Sequence, residues 1–242
     1  RFPSDRATVV NLAPADVRKA GPAFDLPIAM AVLAATEQVP ISGLTGCLLI
    51  GELGLDGSVR AVPGSLSVAM AVRKREDLKL IVPWENYAEA ALVDDMNIYC
   101  FENLNEVVDF IANPNTKSPI KRTRLIQDNE PKSVTDFSDV KGQENVKRAL
   151  EIASAGSHNI IMIGPPGAGK TMLAKSIVSI LPPLNQMEAL ETSKIYSITG
   201  KLDAVNKLLR SRPFRHPHHS LSAIALIGGG SHPQPGEISL AH

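Results

Sequence analysis

The stretch "GPPGAGKT", residues 164–171, constrains the fold of this chain more than any other feature. It fits the pattern G-x-x-x-x-G-K-[ST] at every fixed position. The apolar run "NIIMI" precedes it, and the helical pattern "TMLAKSIVSI" overlaps its end and follows it. Such a loop needs a buried strand that ends at the loop and a helix that begins there. We therefore predict an α/β domain built around a strand–loop–helix unit.

The residue types of this loop suit phosphate groups. Gly167 and Gly169 let the backbone curl, so that successive N–H groups form a nest for a β-phosphate at a helix N-terminus. Lys170 is placed to reach the β- and γ-phosphates, and Thr171 to give a hydroxyl to Mg²⁺. We therefore predict that the chain binds a nucleoside triphosphate, ATP, with Mg²⁺. The predicted contacts in the loop are Gly164, Pro165, Pro166, Gly167, Ala168, Gly169, Lys170, Thr171 and Met172.

Composition narrows the class of protein. The 242 residues are 44% hydrophobic and 21% charged, which is typical of two modest globular domains. Lys+Arg 25 balance Asp+Glu 25, so a nucleic-acid contact would need a local basic patch. Cys47 and Cys100 lack metal-ligand spacing, which indicates a reduced, cytoplasmic protein. No apolar run reaches membrane-spanning length, so we expect no membrane contact.

Strand and helix patterns alternate over residues 1–113 and predict a first α/β domain. Asp56-Gly57 joins the strand runs "CLLIGEL" and "SVRAV", which is a hairpin signal because glycine tolerates positive φ. The other predicted strands are "TVVNLAP", "LKLIVP" and "NIYCF", and the predicted helices are "DLPIAMAVLAAT", "SLSVAMAVRKR", "NYAEAALVDD" and "LNEVVDFIAN".

The second half of the chain carries the phosphate loop. Scattered prolines and charges over residues 114–135 predict a linker. Residues 136–242 then form a second α/β domain, in which an amphipathic helix precedes the strand and the loop. The sequence begins at Arg1 rather than Met and stops at His242 after the apolar stretch "ISLA". We therefore expect a piece of a longer protein.

A segment before the loop narrows the type of nucleotide-binding domain. Residues 139–143 read Asp-Val-Lys-Gly-Gln and lead into a helix. They resemble the adenine-side entry of AAA+ ATPases, which implies that the backbone at Val140 and Gly142 faces the base. Taken alone, the segment is equally typical of an ordinary capped helix.

Two long stretches resemble one family. "RPFRHPHHSLSAIALIGGGSHPQPGEISLAH" is similar to the magnesium-chelatase-like branch of AAA+ proteins, and "VNLAPADVRKAGPAFDLPIAMAVLAA" to its ComM/YifB family. The resemblance implies an α/β fold with a Lon-protease-like (S5-like) domain over residues 1–113. It also implies the N-terminal part of a P-loop AAA+ αβα ATPase domain over residues 136–242. The family's Walker B strand would follow residue 242, so this piece should bind ATP without efficient turnover.

The resemblance also implies a function for the full-length protein. It implies a homo-oligomeric ring, a hexamer, that couples ATP hydrolysis to movement on DNA. The implied process is branch migration of recombination intermediates during natural transformation. The main alternative is a magnesium-chelatase-type ATPase subunit that remodels a metal-inserting partner, against which the Lon-like domain argues. A regulatory ATP sensor and an active protease are two further alternatives.

The Lon-like resemblance allows a direct test of protease chemistry. The family's serine position is Ala23 here, and its lysine position is Leu66. Neither supplies a nucleophile or a base, so we predict no catalytic residue in this piece and no peptidase activity. Ser65 and Ser67 lie beside the second position without an evident base. Asp25 could serve as a base, but we interpret it as the N-cap of the helix that follows.

The stretch "RSRPFRHPHHS" concentrates cations in a neutral chain. Arg210, Arg212, Phe214 and Arg215 are candidates for contact with DNA phosphates or with another subunit, and the sequence leaves both open. His216, His218 and His219 lie in the same stretch. Two adjacent histidines in a proline-stiffened loop are poorly spaced for a metal site, so we expect none.

Overall fold

The computed structural model of this chain describes residues 7–13, 21–75, 77–120, 135–202, 207–230 and 233–242. Two compact units make up the chain: Arg1–Leu125 with Ser197–Lys207, and Ile126–Tyr196 with Leu208–His242. The helices of the described ranges are α1 (Asp25–Ala35), α2 (Ile41–Leu44), α3 (Ser65–Val72), α4 (Tyr87–Ala90), α5 (Leu104–Ala112), α6 (Glu144–Gly156), α7 (Lys170–Ser176), α8 (Gln186–Ile198), α9 (Ala223–Ile227) and α10 (Glu237–Leu240). The strands are β1 (Cys47–Leu49), β2 (Glu52–Leu53), β3 (Val59–Arg60), β4 (Lys79–Pro83), β5 (Asn97–Phe101), β6 (Gly228–Gly229) and β7 (Gln234–Pro235).

A three-stranded parallel sheet organises the first unit. Its strand order is β1-β4-β5, and all the pairs are parallel. The predicted hairpin is confirmed: β2 and β3 pair antiparallel, and Gly57 in the turn has φ +83°. The predicted strands at β4 and β5 and the predicted helices at α1, α3 and α5 are also present. The prediction of an α/β fold is therefore confirmed, and the structure adds that the sheet is parallel.

The core of the first unit lies between this sheet, α1 and α5. Its largest fully buried side chains include Leu26 and Met30 of α1, Phe101 of β5 and Phe110 of α5. The rings of Phe101 and Phe110 pack with their centroids 5.3 Å apart. Burial of these side chains is the main force that holds the unit together, since each contributes about 1.5–3 kcal/mol.

Two predictions for the first unit are wrong. Residues 8–13, the described part of the strand predicted over residues 8–14, have no regular secondary structure, because no described segment pairs with them. They lie instead along α1 and line a groove of about 760 Å³ with it. The helix predicted over residues 86–95 is the short α4, after which the chain continues as turns with i→i+3 hydrogen bonds.

The start of the predicted linker contacts the first unit. Pro114–Thr116 form a 3₁₀ turn, and Ile120 makes an antiparallel bridge to Ile98 of β5. The ammonium of Lys117 donates to the carbonyl of Cys100 at 2.5 Å. Residues 121–134 of the predicted linker lie outside the described residues. The described beginning of the segment is therefore attached to β5.

The second unit packs α6 against α7. Val140, Leu150 of α6 and Leu173 of α7 form a small buried cluster. Further along, Gly228 and Gly236 lie so close together that a Cβ at position 236 would come within 2.4 Å of the Gly228 nitrogen. Glycine is required at position 236 for this reason, and the hairpin of β6 and β7 depends on it.

The predicted strand before the phosphate loop is not formed. Residues 158–163 carry no strand, and Ile161 and Ile163 are 82% and 90% exposed. A strand needs a neighbour that shares its backbone hydrogen bonds, and no described segment pairs with this one. The helix after the loop is also shorter than predicted: α7 ends at Ser176 and tightens to a 3₁₀ turn over Ile177–Ser179.

Neither cysteine forms a disulfide, and both lie in described ranges. Burial raises the pKa of the Cys100 thiol to about 12. Burial also raises the pKa of Cys47, against the opposing effect of Lys79. Neither thiol is therefore activated at neutral pH.

Among the described helices, none is long and apolar enough to span a bilayer.

Candidate nucleotide-binding site

The phosphate loop has the backbone that its glycines predict. Gly167 and Gly169 both have φ +80°, the left-handed region that glycine adopts without strain. Gly169 is the N-cap of α7, so the loop ends on a helix N-terminus. The N–H groups of Gly167, Gly169 and Lys170 have no hydrogen-bond partner among the described residues. The loop thus offers several backbone donors at a helix start, which is a suitable arrangement for an anion.

The Lys170 side chain folds over the start of its own loop. Its ammonium donates to the carbonyls of Gly164 at 2.8 Å and Pro165 at 2.7 Å. These solvent-exposed bonds hold the positive charge at the start of the loop. Thr171 and Met172 of α7 are exposed, so the Thr171 hydroxyl is accessible to a bound ion. The arrangement fits the predicted contacts with a triphosphate and Mg²⁺.

The segment before α6 is folded against α7. Asp136 and Asp139 form a reciprocal capping box around the 3₁₀ turn Phe137–Asp139, and the Phe137 N–H donates to the Ser179 hydroxyl at 2.9 Å. The backbone hydrogen bond from Ser138 lowers the pKa of Asp136. The Val140 side chain is buried in the cluster with α6 and α7, whereas Gly142 is exposed. Backbone contact of Val140 and Gly142 with a base stays a prediction.

Sequence reasoning missed a residue at this site. The side-chain amide of Gln143 donates to the carbonyl of Ala168 at 3.3 Å. It thereby connects the segment before α6 with the phosphate loop, 25 residues along the chain. Gln143 also has φ +58°, which is uncommon for a residue with a side chain. A single sequence does not reveal this contact, because a glutamine before a helix reads as an ordinary polar residue.

The positions that align with protease residues lack reactive groups. Ala23 lies in the 3₁₀ turn Pro22–Phe24, and its carbonyl accepts the Gly51 N–H at 3.1 Å. Leu66 is fully buried in α3. The hydroxyl of Ser65 is buried too and accepts a hydrogen bond from the Asn86 amide at 3.3 Å, a group that cannot act as a base. Absence of peptidase activity stays a prediction that these contacts favour.

The prediction that Asp25 is the N-cap of α1 is wrong. The helix begins at Asp25 itself, and Phe24 is the capping position, without a side-chain hydrogen bond. The reason is that the preceding 3₁₀ turn leads directly into the helix. The Asp25 carboxylate instead accepts a hydrogen bond from the Leu53 N–H of β2 at 3.4 Å. Asp25 also lies in the first turn of α1, where a negative charge interacts favourably with the helix dipole and stabilises the helix.

A buried carboxylate lies beside the aligned lysine position. Glu89 of α4 accepts the Leu66 N–H at 2.9 Å and the hydroxyl proton of Ser197. Both partners and Glu89 itself are buried. Since a buried carboxylate is costly without donors, these bonds explain how Glu89 is tolerated. Sequence reasoning missed this cluster, because Ser197 is 108 residues away.

Two arginines of the predicted contact stretch are paired within their own unit. Arg215 forms a two-pronged ion pair with Glu237 at 2.5 and 2.6 Å, and their side chains are 31% and 19% exposed. The hydrogen bonds to Glu237 raise the pKa of Arg215. Arg212 binds the Pro182 carbonyl at 3.0 Å and Glu188 at 3.2 Å. Contact of these arginines with DNA or with another subunit stays a prediction. Phosphates or carboxylates of such a partner would have to compete with Glu188 and Glu237 for the two guanidiniums.

The aromatic and imidazole rings of the stretch lie near the surface. Phe214 stacks on His216 with centroids 6.5 Å apart, and Arg210 is exposed. His218 and His219 contact each other at 4.1 Å, and the Nδ1 of His218 lies 2.7 Å from the Ser220 hydroxyl. Across the described ranges, no three His, Cys, Asp or Glu side chains are arranged to hold a metal ion. The histidines contact neighbours on their own loop.

Comparison with known proteins covers the whole chain. A family model described as magnesium chelatase, subunit ChlI, matches residues 136–242, and one described as subunit ChlI of Mg-chelatase matches residues 1–86. The uncharacterized protein YifB of Salmonella typhimurium is 47% identical over 242 residues, and that of Escherichia coli 45% over 241. The competence protein ComM of Haemophilus influenzae is 44% identical over 246 residues. Each comparison covers the whole of this chain. It covers only 46% of the Salmonella protein, 46% of the Escherichia coli protein and 47% of ComM, so this chain spans about half the length of these relatives.

Proposed function

Since this chain belongs to the ComM/YifB family and spans about half the length of these relatives, we propose that it carries the nucleotide-binding loop of a ChlI/ComM-type ATPase. The observation that carries the proposal is the geometry of residues 164–171. Two left-handed glycines, unpartnered N–H groups and the Lys170 ammonium are gathered at the start of α7. In this proposal the loop binds ATP, and the Thr171 hydroxyl coordinates the Mg²⁺ ion that accompanies it. The ion would neutralise negative charge on the phosphates.

The loop geometry predicts which nucleotides bind. Its donors suit a β-phosphate, so ATP and ADP should both bind, whereas AMP should bind at least about tenfold more weakly because it has no β-phosphate. The measurement is displacement of a fluorescent ATP analogue from the chain by each nucleotide in the presence of Mg²⁺. Equal displacement by AMP would show that the base and sugar, rather than the loop, provide the affinity.

We also propose a role on DNA for the full-length protein. The proposal is a homo-oligomeric ring, a hexamer, that uses ATP hydrolysis for branch migration in recombination during natural transformation. Its support is the resemblance to a relative named competence protein ComM. Within this chain, the candidate contact is the stretch of Arg210, Arg212, Phe214 and Arg215. A cytoplasmic location belongs to the same proposal.

The paired arginines give this proposal a test. If Arg212 and Arg215 contact phosphates, R212A/R215A should flatten the salt dependence of DNA affinity by roughly two units of log–log slope. If they hold the loop to their own unit instead, the slope should not change, and the free energy of unfolding should fall by about 1–2 kcal/mol. The measurements are DNA affinity over a salt series and urea unfolding of the same variant.

A second candidate function is an ATPase subunit that remodels a metal-inserting partner. Both family models that match the chain are described by the magnesium chelatase subunit ChlI. The expectation that the first domain argues against this function therefore has no support from the comparisons. ATP binding is common to both candidates, so the affinity of the wild-type full-length protein for DNA is the measurement that separates them. For the first unit we propose a Lon-like domain without peptidase activity, supported by Ala23 and Leu66 at the reactive positions.

A further inference from the structure

The phosphate loop is fixed from outside by one side chain. The amide of Gln143, which lies directly before α6, donates to the carbonyl of Ala168 in the loop. The same side-chain nitrogen would lie 3.6 Å from a Cβ placed on Gly169, an ordinary contact distance. Gln143 therefore lies against the Ala168–Gly169 peptide, next to the start of α7.

The geometry of that peptide gives the contact a consequence. In a planar trans peptide, the carbonyl of one residue and the N–H of the next point in opposite directions. When Gln143 holds the Ala168 carbonyl, the Gly169 N–H must therefore point to the other side. That N–H has no partner among the described residues. We infer that Gln143 is a positioning residue, which orients the Gly169 N–H toward a bound phosphate.

The backbone at Gln143 supports this inference independently. Gln143 has φ +58° and ψ +39° and follows Gly142, whose φ is also positive. This left-handed conformation is unfavourable for a residue with a Cβ, whereas glycine and asparagine adopt it more easily. Glutamine is also not a preferred N-cap, and its side chain makes no cap hydrogen bond. What glutamine adds at this position is the reach of its amide to the loop.

This inference rests on the proposed nucleotide binding and predicts that stability and affinity change separately. Q143G and Q143N should leave the unfolding temperature unchanged or raise it, because both residues suit the backbone. The affinity for ATP should fall about fivefold, the typical effect of losing one hydrogen bond that positions a donor. Affinity for inorganic tripolyphosphate should fall by the same factor, because the effect acts on the phosphates and not on the base.

The experiment combines calorimetry with displacement of a fluorescent ATP analogue by ATP and by tripolyphosphate. S157G is the matched control: Ser157, at the other end of α6, also has positive φ at +52°, and among the described residues its N–H donates to Ala153 and no hydrogen bond joins it to the loop. It should keep wild-type affinity. A wild-type chain that binds neither ligand would refute the proposed function itself.

If the wild type binds, three results would overturn the role of Gln143 alone. The first is unchanged affinity in both variants. The second is a loss for ATP without a loss for tripolyphosphate, which would place the effect on the adenine side. The third is a loss of affinity that accompanies a lower unfolding temperature, which would make Gln143 a structural residue.

Discussion

Replacement of Lys170 by alanine is expected to reduce ATP binding by about a hundredfold or more. The substitution removes the charged group beside the loop donors, and hydrogen bonds to charged groups contribute about 1.5–3 kcal/mol each. It also releases the carbonyls of Gly164 and Pro165, which the Lys170 ammonium now holds. The measurement is titration with a fluorescent ATP analogue, together with circular dichroism to verify the fold.

The control for K170A is K175A. Lys175 lies on the same helix, α7, and its side chain is exposed. Its loss changes the net charge equally, so a general electrostatic effect would appear in both variants, whereas a loop effect appears at position 170 alone. Equal affinity of K170A and the wild type would remove the basis of the nucleotide-binding proposal.

Introduction of lysine at position 66 is expected to unfold the first unit. Leu66 is fully buried, so L66K both removes its packing and buries an ammonium, at a cost of at least about 4 kcal/mol. Total domain stabilities are about 5–15 kcal/mol, so this loss is severe. The chain has one tryptophan, Trp84, and it lies in the first unit. Its fluorescence during urea unfolding therefore reports on this unit.

A71K is the matched control for L66K. Ala71 lies on the same helix, α3, with an exposed side chain. The same new charge there should change the free energy of unfolding by less than about 0.5 kcal/mol. A stable, folded L66K variant would contradict the packing described here. If L66K unfolds, the serine–lysine pair of the resembling proteases cannot be restored by substituting positions 23 and 66 alone.

Local patterns in the sequence predicted the elements whose stability is local. The hairpin at Gly57, the amphipathic helix α5 and the left-handed glycines of the phosphate loop all follow from residue types within a few positions. The strands β4 and β5 were predicted from their apolar runs, and in the structure all their residues except the first of each strand are buried. Residue chemistry at short range was sufficient for these.

Features that depend on distant partners could not be predicted. The run at residues 159–163 has the composition of a β-strand. Composition alone does not determine whether another strand lies beside it to share its backbone hydrogen bonds. The contact of Gln143 with Ala168, and that of Arg215 with Glu237, join residues 25 and 22 positions apart. The basic stretch was therefore interpreted as a contact surface for DNA or for another subunit, although two of its guanidiniums have carboxylate partners in the same unit. Single-sequence reasoning supplies the charges but not their pairing.

The exposed apolar run before the phosphate loop also affects how the purified chain associates in solution. Ile161 and Ile163 are exposed in an uncharged segment without regular secondary structure, and no described strand pairs with its backbone. Short segments of this kind pair edge to edge with copies of themselves and promote aggregation. Self-association of this chain at high concentration would then arise from strand pairing and not from a nucleotide-dependent ring. Measurements of its assembly should therefore compare samples with and without ATP at several dilutions, because strand pairing depends on concentration but not on nucleotide.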